Sequence, residues 1–263
     1  MGIAISVRNA SFSYVKGTSV WENISLDVYE GDCLCLLGSN GSGKTTLFNC
    51  MCGNLALTSG EIIVNGKNIR DYRAQELALA LGAVFQEHSA PFPYSSLEVV
   101  RMGRAPHLGF LEMPSPRDTE IAYQAMSELG IEYLANESYT KISGGERQLV
   151  LIARALCQGA KTILFDEPTS HLDLKNQASV LSAIKALSLK GMTILFVSHS
   201  PEQAFKVGTK AVVLGGGGIL AQGRVDEAIT EASLSAAYGI EMKMYEGGKD
   251  GEMRRFFDTN AII

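Results

Sequence analysis

A glycine-rich stretch, GSNGSGKTT at residues 38–46, constrains the fold of this chain more than any other part of its sequence. The apolar run DCLCLLG comes directly before it and predicts a buried strand that ends at Gly38. The apolar run LFNCMC follows it and predicts a helix, although glycines beside a helix lower its stability. The order of strand, glycine loop and helix is the context that a phosphate-binding loop requires.

The glycine loop matches the pattern G-x4-G-K-T, with Gly38, Gly43, Lys44 and Thr45 at the defined positions. Glycines let backbone N–H groups turn towards phosphate oxygens, and the helix that begins near Gly43 adds partial positive charge. We therefore expect Lys44 to reach the β- and γ-phosphates and Thr45 to give its hydroxyl to Mg²⁺. The other loop residues expected to bind nucleotide are Ser39, Asn40, Gly41, Ser42 and Thr46.

The run TILFDEP provides the acidic groups that such a loop needs for its metal. Neighbouring residues at the end of a strand point to different sides. Asp166 can therefore face Mg²⁺, while Glu167 can polarise a water that attacks the γ-phosphate. Taken alone, the pair would be an acidic turn before Pro168.

A second anion-binding helix start is predicted by ISGGERQLVLIARAL. Ser143 and Glu146 have the spacing of a capping box in front of an apolar helix. The capping box does not explain Gly144 and Gly145, which leave bare N–H groups at the positive end of the helix. The chain thus carries two helix starts that suit phosphate.

The composition indicates one globular domain with room for a subdomain, because 46% of the 263 residues are hydrophobic. The net charge of −5 argues against a general nucleic-acid-binding protein. No apolar run reaches the ~18 residues of a membrane span, and the first residues lack the features of a signal peptide. We therefore expect a cytoplasmic chain with no nucleic-acid partner.

The five cysteines are an odd number in a chain without a secretion signal, which argues against a disulfide framework. Their spacing is C-x-C within apolar runs, so buried small residues are favoured over a zinc site. The cysteines are Cys33, Cys35, Cys50, Cys52 and Cys157.

Secondary-structure signals alternate along the chain. Short apolar runs predict strands at residues 3–7, 24–28 and 61–64, and Asn65-Gly66 predicts a hairpin turn. The run LGAVFQ predicts a further strand, and the runs TILFD and TILFVS predict two more, each followed by a helix. This alternation predicts a parallel, doubly wound α/β sheet.

A helical part at about residues 87–158 interrupts these strands. It opens with a loop that includes His88. Further on, Ser115 and Pro116 predict the start of a helix and Gly130 predicts its end. Residues 240–263 are predicted to form a small hairpin or a tail.

Taken together, the motifs resemble the ATP-binding cassette (ABC) family in their order and approximate spacing. In that family two cassettes pair head to tail, and each ATP lies between the glycine loop of one and the serine-glycine helix of the other. The resemblance rests on residues 38–46, Gln86, Ser143-Gly144-Gly145-Glu146, Asp166-Glu167, Ser170–Asp173 and His199.

The resemblance implies ATP and Mg²⁺ as ligands and a second copy of the chain as partner, whose ATP would bind Ser143, Gly144 and Gly145. It implies that Gln86 is a Mg²⁺ ligand at the hinge to the helical subdomain. It also implies that Asp173 links the two sites, that His199 contacts the γ-phosphate, and that Tyr14 stacks on adenine. The residues expected to act in hydrolysis are Lys44, Gln86, Glu167 and His199.

The implied fold is that of a P-loop NTPase of the α/β class. It has a RecA-like parallel-sheet core, an N-terminal antiparallel β subdomain and an inserted helical subdomain. The ATPase domain would span residues 1–239, with the helical subdomain at about 87–158 and a C-terminal tail or hairpin at 240–263.

The segment MGRAPHLG and its surroundings resemble one branch of the family, the importers of iron chelates, haem, cobalamin and related oxoanions such as molybdate. The implied assembly has two cassettes, two separate membrane permease subunits and an extracytoplasmic substrate-binding protein. The chain would then lie on the inner face of the cell membrane.

Three other classes fit part of the pattern. An ABC exporter cassette would share the ATPase residues. A soluble P-loop kinase would leave Ser143 and His199 unexplained. A DNA-repair or chromosome-organising ATPase would need a long coiled coil between Gln86 and Ser143, and the acidic net charge disfavours DNA.

Overall fold

The computed structural model describes residues 2–15, 17–86, 93–109, 111–247 and 254–259. The chain divides into two compact units, which we call the first unit (up to Arg70 and from Thr193 onwards) and the second unit (Asp71–Met192). Residues 87–92 of the predicted loop, which include His88, lie outside the described residues.

The elements follow one another in the order that the alternating sequence pattern predicts. The first unit begins with β1 (Ile3–Val15), β2 (Thr18–Tyr29), β3 (Cys33–Gly38), α1 (Lys44–Met51), β4 (Ser59–Val64) and β5 (Lys67–Asn68). The second unit contains α2 (Ala74–Ala80), β6 (Leu81–Val84), α3 (Ser96–Arg101), α4 (Pro116–Glu128), α5 (Gly144–Cys157), β7 (Thr162–Asp166) and α6 (Leu174–Leu189). The first unit then resumes with β8 (Thr193–Ser198), α7 (Pro201–Val207), β9 (Lys210–Gly215), β10 (Gly218–Arg224), α8 (Val225–Ala228), α9 (Glu231–Tyr238), β11 (Met242–Gly247) and β12 (Arg254–Thr259).

An antiparallel sheet in the order β2-β1-β4-β5 opens the first unit. Its first two strands are about twice as long as predicted, because register shifts let β1 and β2 continue past polar residues without losing their pairing. Trp21 is fully buried in this sheet. The turn predicted at Asn65-Gly66 is confirmed: both residues have positive φ, as a type I′ turn requires, and Val64 pairs with Lys67.

A second sheet in the first unit holds the glycine loop. Strand β3 lies between β8 and β9 and is parallel to both, and β10 pairs with β9 in the antiparallel sense. Every residue of β3 and β8 is buried, as expected of parallel strands covered on both faces. Cys33 and Cys35 are therefore buried, as their apolar context predicts.

The second unit pairs β6 with β7 in parallel and packs α3, α4 and α5 together. The predicted signals around α4 are confirmed. Ser115 caps the helix by accepting a hydrogen bond from the N–H of Asp118, Pro116 is its first residue, and Gly130 has a φ of 68° just after its end. No helix among the described residues is both long and apolar enough to span a membrane.

The segment MGRAPH, at residues 102–107, is a 3₁₀ helix fixed by polar contacts inside the second unit. Arg104 makes an ion pair of 2.9 Å (Nε to Oδ1) with Asp118 and donates a second hydrogen bond of 3.0 Å to the carbonyl of Cys157. Hydrogen bonds from Ser115 and from Arg104 hold the pKa of Asp118 well below its usual range. His107 lies 2.7 Å from the carbonyl oxygen of Gln158.

Close backbone packing accompanies these contacts. A Cβ atom at Gly103 would collide with the carbonyl oxygen of Arg154 near the end of α5. The glycine therefore allows the 3₁₀ helix to lie directly against α5.

Gly103→Ala is expected to lower the free energy of unfolding by about 1–3 kcal/mol, because the added methyl group has to separate two packed backbones. Urea denaturation of the purified chain measures this. Gly109→Ala is the matched control, since its Cβ would meet its nearest neighbour, Glu112, at 3.5 Å. It should change stability by less than about 0.5 kcal/mol. Equal stability of the two variants would contradict the packing argument.

Candidate functional site

The glycine loop between β3 and α1 depends on missing side chains. Gly41 and Gly43 have φ of 82° and 88°, in the left-handed region that glycine adopts without strain. A Cβ atom at Gly43 would also lie 2.6 Å from the Trp21 ring, and one at Gly38 would lie 2.5 Å from the carbonyl oxygen of Leu214. Gly43 is therefore required by both conformation and space, Gly41 by conformation and Gly38 by space.

Lys44 is the first residue of α1 and is buried, with 5% of its surface exposed. Its ammonium group donates to the carbonyl oxygens of Gly38 (2.9 Å) and Ser39 (3.0 Å). A buried cation needs such partners. The side chain therefore folds back over the glycine loop, whose bound phosphates it is predicted to contact.

The hydroxyl of Ser42 is buried and has no hydrogen-bond partner among the described residues. Buried polar atoms are nearly always paired, so an orphan in this loop indicates a ligand that supplies the missing partner. Together with the positive φ of Gly41 and Gly43 and the N-terminus of α1, it makes the loop fit an anion such as a phosphate group.

Tyr14 lies next to this loop, as a residue predicted to contact nucleotide should. Its hydroxyl is 3.0 Å from the hydroxyl of Thr46, and Phe12 meets its ring edge-on at 4.8 Å between centroids. The side chain is 65% exposed. An exposed ring held from one side is suited to stacking on a planar base.

His199 follows β8 in the first unit and is exposed. Ser198 before it is buried and accepts a hydrogen bond of 3.0 Å from the N–H of Ser200. The hydroxyl of Tyr238 donates to the carbonyl oxygen of His199 at 2.8 Å. The sequence does not predict this last contact, because Tyr238 lies 39 residues further along the chain.

The acidic pair ends β7 in the second unit. Asp166 is buried, with 3% of its surface exposed. Glu167 has a φ of 45°, which is uncommon for a residue other than glycine and costs on the order of 1–3 kcal/mol. The N–H and hydroxyl groups of Ser170 both donate to the carbonyl oxygen of Glu167, each at 3.0 Å, and hold this conformation. Backbone strain of this kind clusters at functional sites.

The serine-glycine helix, α5, begins with the predicted capping box. The N–H and hydroxyl of Ser143 donate to the Glu146 carboxylate at 2.9 and 2.7 Å, and the hydroxyl accepts from the N–H of Glu146. These hydrogen bonds lower the pKa of Glu146. The hydroxyl of Tyr133 donates to the other carboxylate oxygen at 3.3 Å. The Ser143 hydroxyl is therefore engaged with a carboxylate in this structure.

The second unit brings this helix start together with Asp173. The Asp173 side chain caps α6 by accepting from the N–H of Asn176 at 2.8 Å and from its side-chain amide at 3.1 Å. A Cβ atom at Gly145 would collide with Asn176, and one at Gly144 would lie 3.3 Å from Leu172. Asn176 is thus a positioning residue that sequence reasoning missed. Its only signal is the Asp173-x-x-Asn176 spacing of a helix cap.

Gln86 lies two residues beyond β6 and is exposed. Among the residues that the structure describes, no three His, Cys, Asp or Glu side chains group closely enough to hold a metal. The predicted ligands of Mg²⁺ are a hydroxyl, an amide and one carboxylate, from Thr45, Gln86 and Asp166. This hard-oxygen donor set fits a Mg²⁺ that also binds phosphate oxygens and water.

Comparison with known proteins decides the family. The profile described as ABC transporter matches residues 21–170, which include the glycine loop, the serine-glycine helix and the acidic pair. The chain belongs to the ABC transporter family. It is an ATP-binding, ATP-hydrolysing subunit of the cassette type, as the sequence predicts.

Several relatives match over most of their length. The chain is 39% identical to an uncharacterized ABC transporter ATP-binding protein of Haemophilus influenzae, over 80% of each chain. It is 38% identical to the molybdate import ATP-binding protein MolC of the same organism, over 81% of this chain and 80% of that one. It is 31% identical to the hemin import ATP-binding protein HmuV of Myxococcus xanthus, over 88% and 91%.

Solved structures confirm the cassette fold. An ABC transporter described as metal-chelate type, in an inward-facing conformation, superposes with a TM-score of 0.88 at 34% identity and 98% coverage of both chains. A dimeric ATP-binding cassette in a post-hydrolysis state, bound to ADP and phosphate, gives 0.72 at 27% identity, over 84% of this chain and 98% of that one.

Ser42→Ala is expected to weaken ATP binding about 3- to 10-fold, the effect of losing one hydrogen bond to the ligand. The nucleotide-free chain should be no less stable, because the variant removes a buried hydroxyl that lacks a partner. Nucleotide titration and urea denaturation measure the two effects. Ser179→Ala, at an exposed serine whose hydroxyl donates to the carbonyl oxygen of Lys175 within α6, should leave ATP affinity unchanged. Unaltered ATP affinity in Ser42→Ala would refute the role of the orphan hydroxyl.

Proposed function

We propose that this chain hydrolyses ATP to drive uptake of a metal chelate, such as an iron–siderophore, haem, cobalamin or a related compound, through separate permease subunits. The observation that carries the proposal is the likeness to a metal-chelate type transporter over 98% of the chain, which extends through the helices of the second unit. Relatives named for hemin and iron-chelate import point to the same cargo class, and one named for molybdate adds an oxoanion.

The proposed chemistry assigns one task to each group. Lys44 and the amides of the glycine loop bind the triphosphate of ATP, and Tyr14 stacks on its adenine. Glu167 accepts a proton from the attacking water, while His199 contacts the γ-phosphate. The strained backbone of Glu167 supports this assignment, because it fixes the direction of a side chain that must meet a single water molecule.

Mg²⁺ would be held by Thr45, Gln86 and Asp166 together with oxygens of the nucleotide. When bound, it neutralises negative charge that builds up on the phosphates during hydrolysis. The position of Asp166, buried at the C-terminal end of β7, supports its role, because ligands of parallel α/β sheets bind outside the carboxyl ends of the strands.

A second copy of the chain is proposed to complete each site. Ser143 and the bare amides of Gly144 would face the γ-phosphate of the ATP held by that copy. The capping box supports this arrangement, because the Ser143 hydroxyl is already oriented at the start of α5 and can exchange the Glu146 carboxylate for a phosphate oxygen. The dimer would lie on the cytoplasmic face of the membrane beneath its permeases.

A groove in the second unit is proposed as the seat of a permease helix. It has a volume of about 250 Å³ and is lined by Tyr94, Glu98, Arg101, Met102, Ala105, Leu108 and Pro114. Met102 and Tyr94 are more than 40% exposed, although both are large and apolar. Exposed apolar side chains around a groove suit the apolar face of an amphipathic helix.

Glu167→Gln is expected to keep ATP affinity within about twofold while hydrolysis falls by about 100-fold or more, since the amide cannot accept the proton. Phosphate release and nucleotide titration measure these two effects, and light scattering should show an ATP-dependent dimer. Full turnover in Glu167→Gln would remove the proposed base.

Two further variants test the other proposed contacts with ATP. Lys44→Ala should weaken ATP binding itself. Ser143→Arg should bind ATP without forming the dimer.

Met102→Glu is expected to abolish ATP-driven uptake in vesicles that hold the complete transporter, because a charge would be buried against the permease. Basal hydrolysis by the isolated chain should be unchanged. Met113→Glu is the matched control, because Met113 is 81% exposed and lies outside the groove. Normal uptake with Met102→Glu would contradict the docking site.

The cargo is tested with the chain and its native permease in vesicles that have ATP on the side of the cassettes and a substrate-binding protein on the opposite side. We expect an iron–siderophore, haem or cobalamin to stimulate ATP hydrolysis. The same compound should accumulate on the side of the membrane that carries the cassettes, whereas an exporter would move its solute to the opposite side. Stimulation by none of these compounds, with movement of another solute away from the cassettes, would indicate an exporter.

A further inference from the structure

The peptide that carries His199 is hydrogen-bonded to α9, a helix that takes no part in the chemistry proposed above. The Tyr238 hydroxyl, at the last turn of α9, donates a hydrogen bond of 2.8 Å to the His199 carbonyl oxygen. Tyr238 is partly buried, and Gly239 directly after it has a φ of 70°, which ends α9 and redirects the chain into β11. The position of this tyrosine thus depends on the C-terminal elements.

The other side of His199 is fixed from within the sheet. The buried hydroxyl of Ser198 accepts from the N–H of Ser200 and bonds to the side chain of Gln203 at 3.0 Å. Residue 199 therefore lies in a short turn that is anchored at its start by β8 and at its end by α7. Its carbonyl group is the point at which a third element, α9, reaches the turn.

The hairpin of β11 and β12 packs against α7, the helix that follows His199. The ring of Phe257 stacks on that of Phe205 in α7, with 5.8 Å between centroids and 23° between planes. The Arg255 guanidinium lies 4.9 Å from the centre of the same Phe205 ring and is paired with Glu246 at 2.9 Å. One face of the hairpin thus covers α7, while Phe256 between these residues is half exposed.

The same hairpin is tied to α9. The N–H of Met242 donates to the Ser235 hydroxyl at 2.9 Å, and the N–H of Met244 donates to the Glu231 carboxylate at 2.8 Å. The hairpin therefore connects the helix that carries Tyr238 with the helix that follows His199. We call α9, β11 and β12 together the C-terminal segment.

We propose that the C-terminal segment positions His199 for hydrolysis, with Tyr238 as the positioning residue that acts on its peptide. The hydrogen bond fixes the orientation of the 199–200 peptide, and the stacking of Phe257 on Phe205 holds α7, the helix that begins two residues after His199. The direction of the imidazole follows from both. In this proposal Tyr238 acts through the His199 peptide and not on ATP or the reacting water. This inference rests on the proposed role of His199 at the γ-phosphate.

Tyr238→Phe, which removes only the hydroxyl, tests the inference in the full chain assembled with its permease. We expect kcat for ATP hydrolysis to fall about 3- to 10-fold, the effect of one hydrogen bond, with KM for ATP and the unfolding midpoint unchanged. Tyr245→Phe is the matched control, because Tyr245 lies on β11 and is 56% exposed. It should leave kcat unchanged. Normal kcat in Tyr238→Phe, or equal losses in both variants, would overturn the inference.

A double-mutant cycle separates positioning of His199 from a general structural effect. In a His199→Ala background, adding Tyr238→Phe should reduce kcat no further, because the group to be positioned is gone. A further full loss would overturn the inference. If His199→Ala alone hydrolyses ATP normally, the proposed role of His199 fails first. If it is inactive while Tyr238→Phe is normal, the proposed function survives and only the inference fails.

Two phenylalanines on one strand provide a second comparison. Phe257→Ala removes the ring that stacks on Phe205, whereas Phe256→Ala removes a half-exposed ring from the opposite face. We expect kcat to fall in Phe257→Ala and to stay within about twofold in Phe256→Ala, with ATP affinity unchanged in both. Equal kcat values in the two variants would show that the hairpin does not act through α7.

Discussion

The packing of a glycine against an indole ring is the constraint on which the nucleotide site depends. Gly43 lies so close to Trp21 that any side chain would collide with it, and its left-handed backbone ends the loop where α1 begins. Trp21 belongs to the antiparallel sheet and is fully buried. The antiparallel sheet therefore supplies the buried surface against which the glycine loop packs.

The two helix starts that suit phosphate are prepared in different ways. At α1 the ammonium group of the buried Lys44 donates hydrogen bonds to carbonyl oxygens of the glycine loop. The site therefore carries a positive charge before nucleotide binds. At α5 the Ser143 hydroxyl donates to the Glu146 carboxylate, so in the proposed dimer a phosphate would have to replace an anion that is already hydrogen-bonded. The first arrangement favours binding to a single chain. The second makes binding across a dimer depend on an exchange of partners, which suits an interface that opens and closes.

Sequence reasoning identified what is local. The strand before the glycine loop, the caps at Ser115 and Ser143 and the Asn65-Gly66 turn each depend on residues a few positions apart. It underestimated β1 and β2, because register shifts there are set by the partner strand. It also missed the Asn176 contact with Gly145 and the hydrogen bond between Tyr238 and His199. Both join distant parts of the chain, and neither leaves a periodic pattern.

The distribution of thiols has a practical consequence for spectroscopy. Of the five cysteines, four are buried, and burial raises the pKa of Cys50 to about 12 and that of Cys157 to about 11, so these sulfurs stay protonated at neutral pH. Cys52 alone is partly accessible, and it caps the C-terminal end of α1. A maleimide dye added to the native chain would therefore attach at the far end of the helix that begins at Lys44. The protein thus carries its own single labelling point for following nucleotide binding by fluorescence.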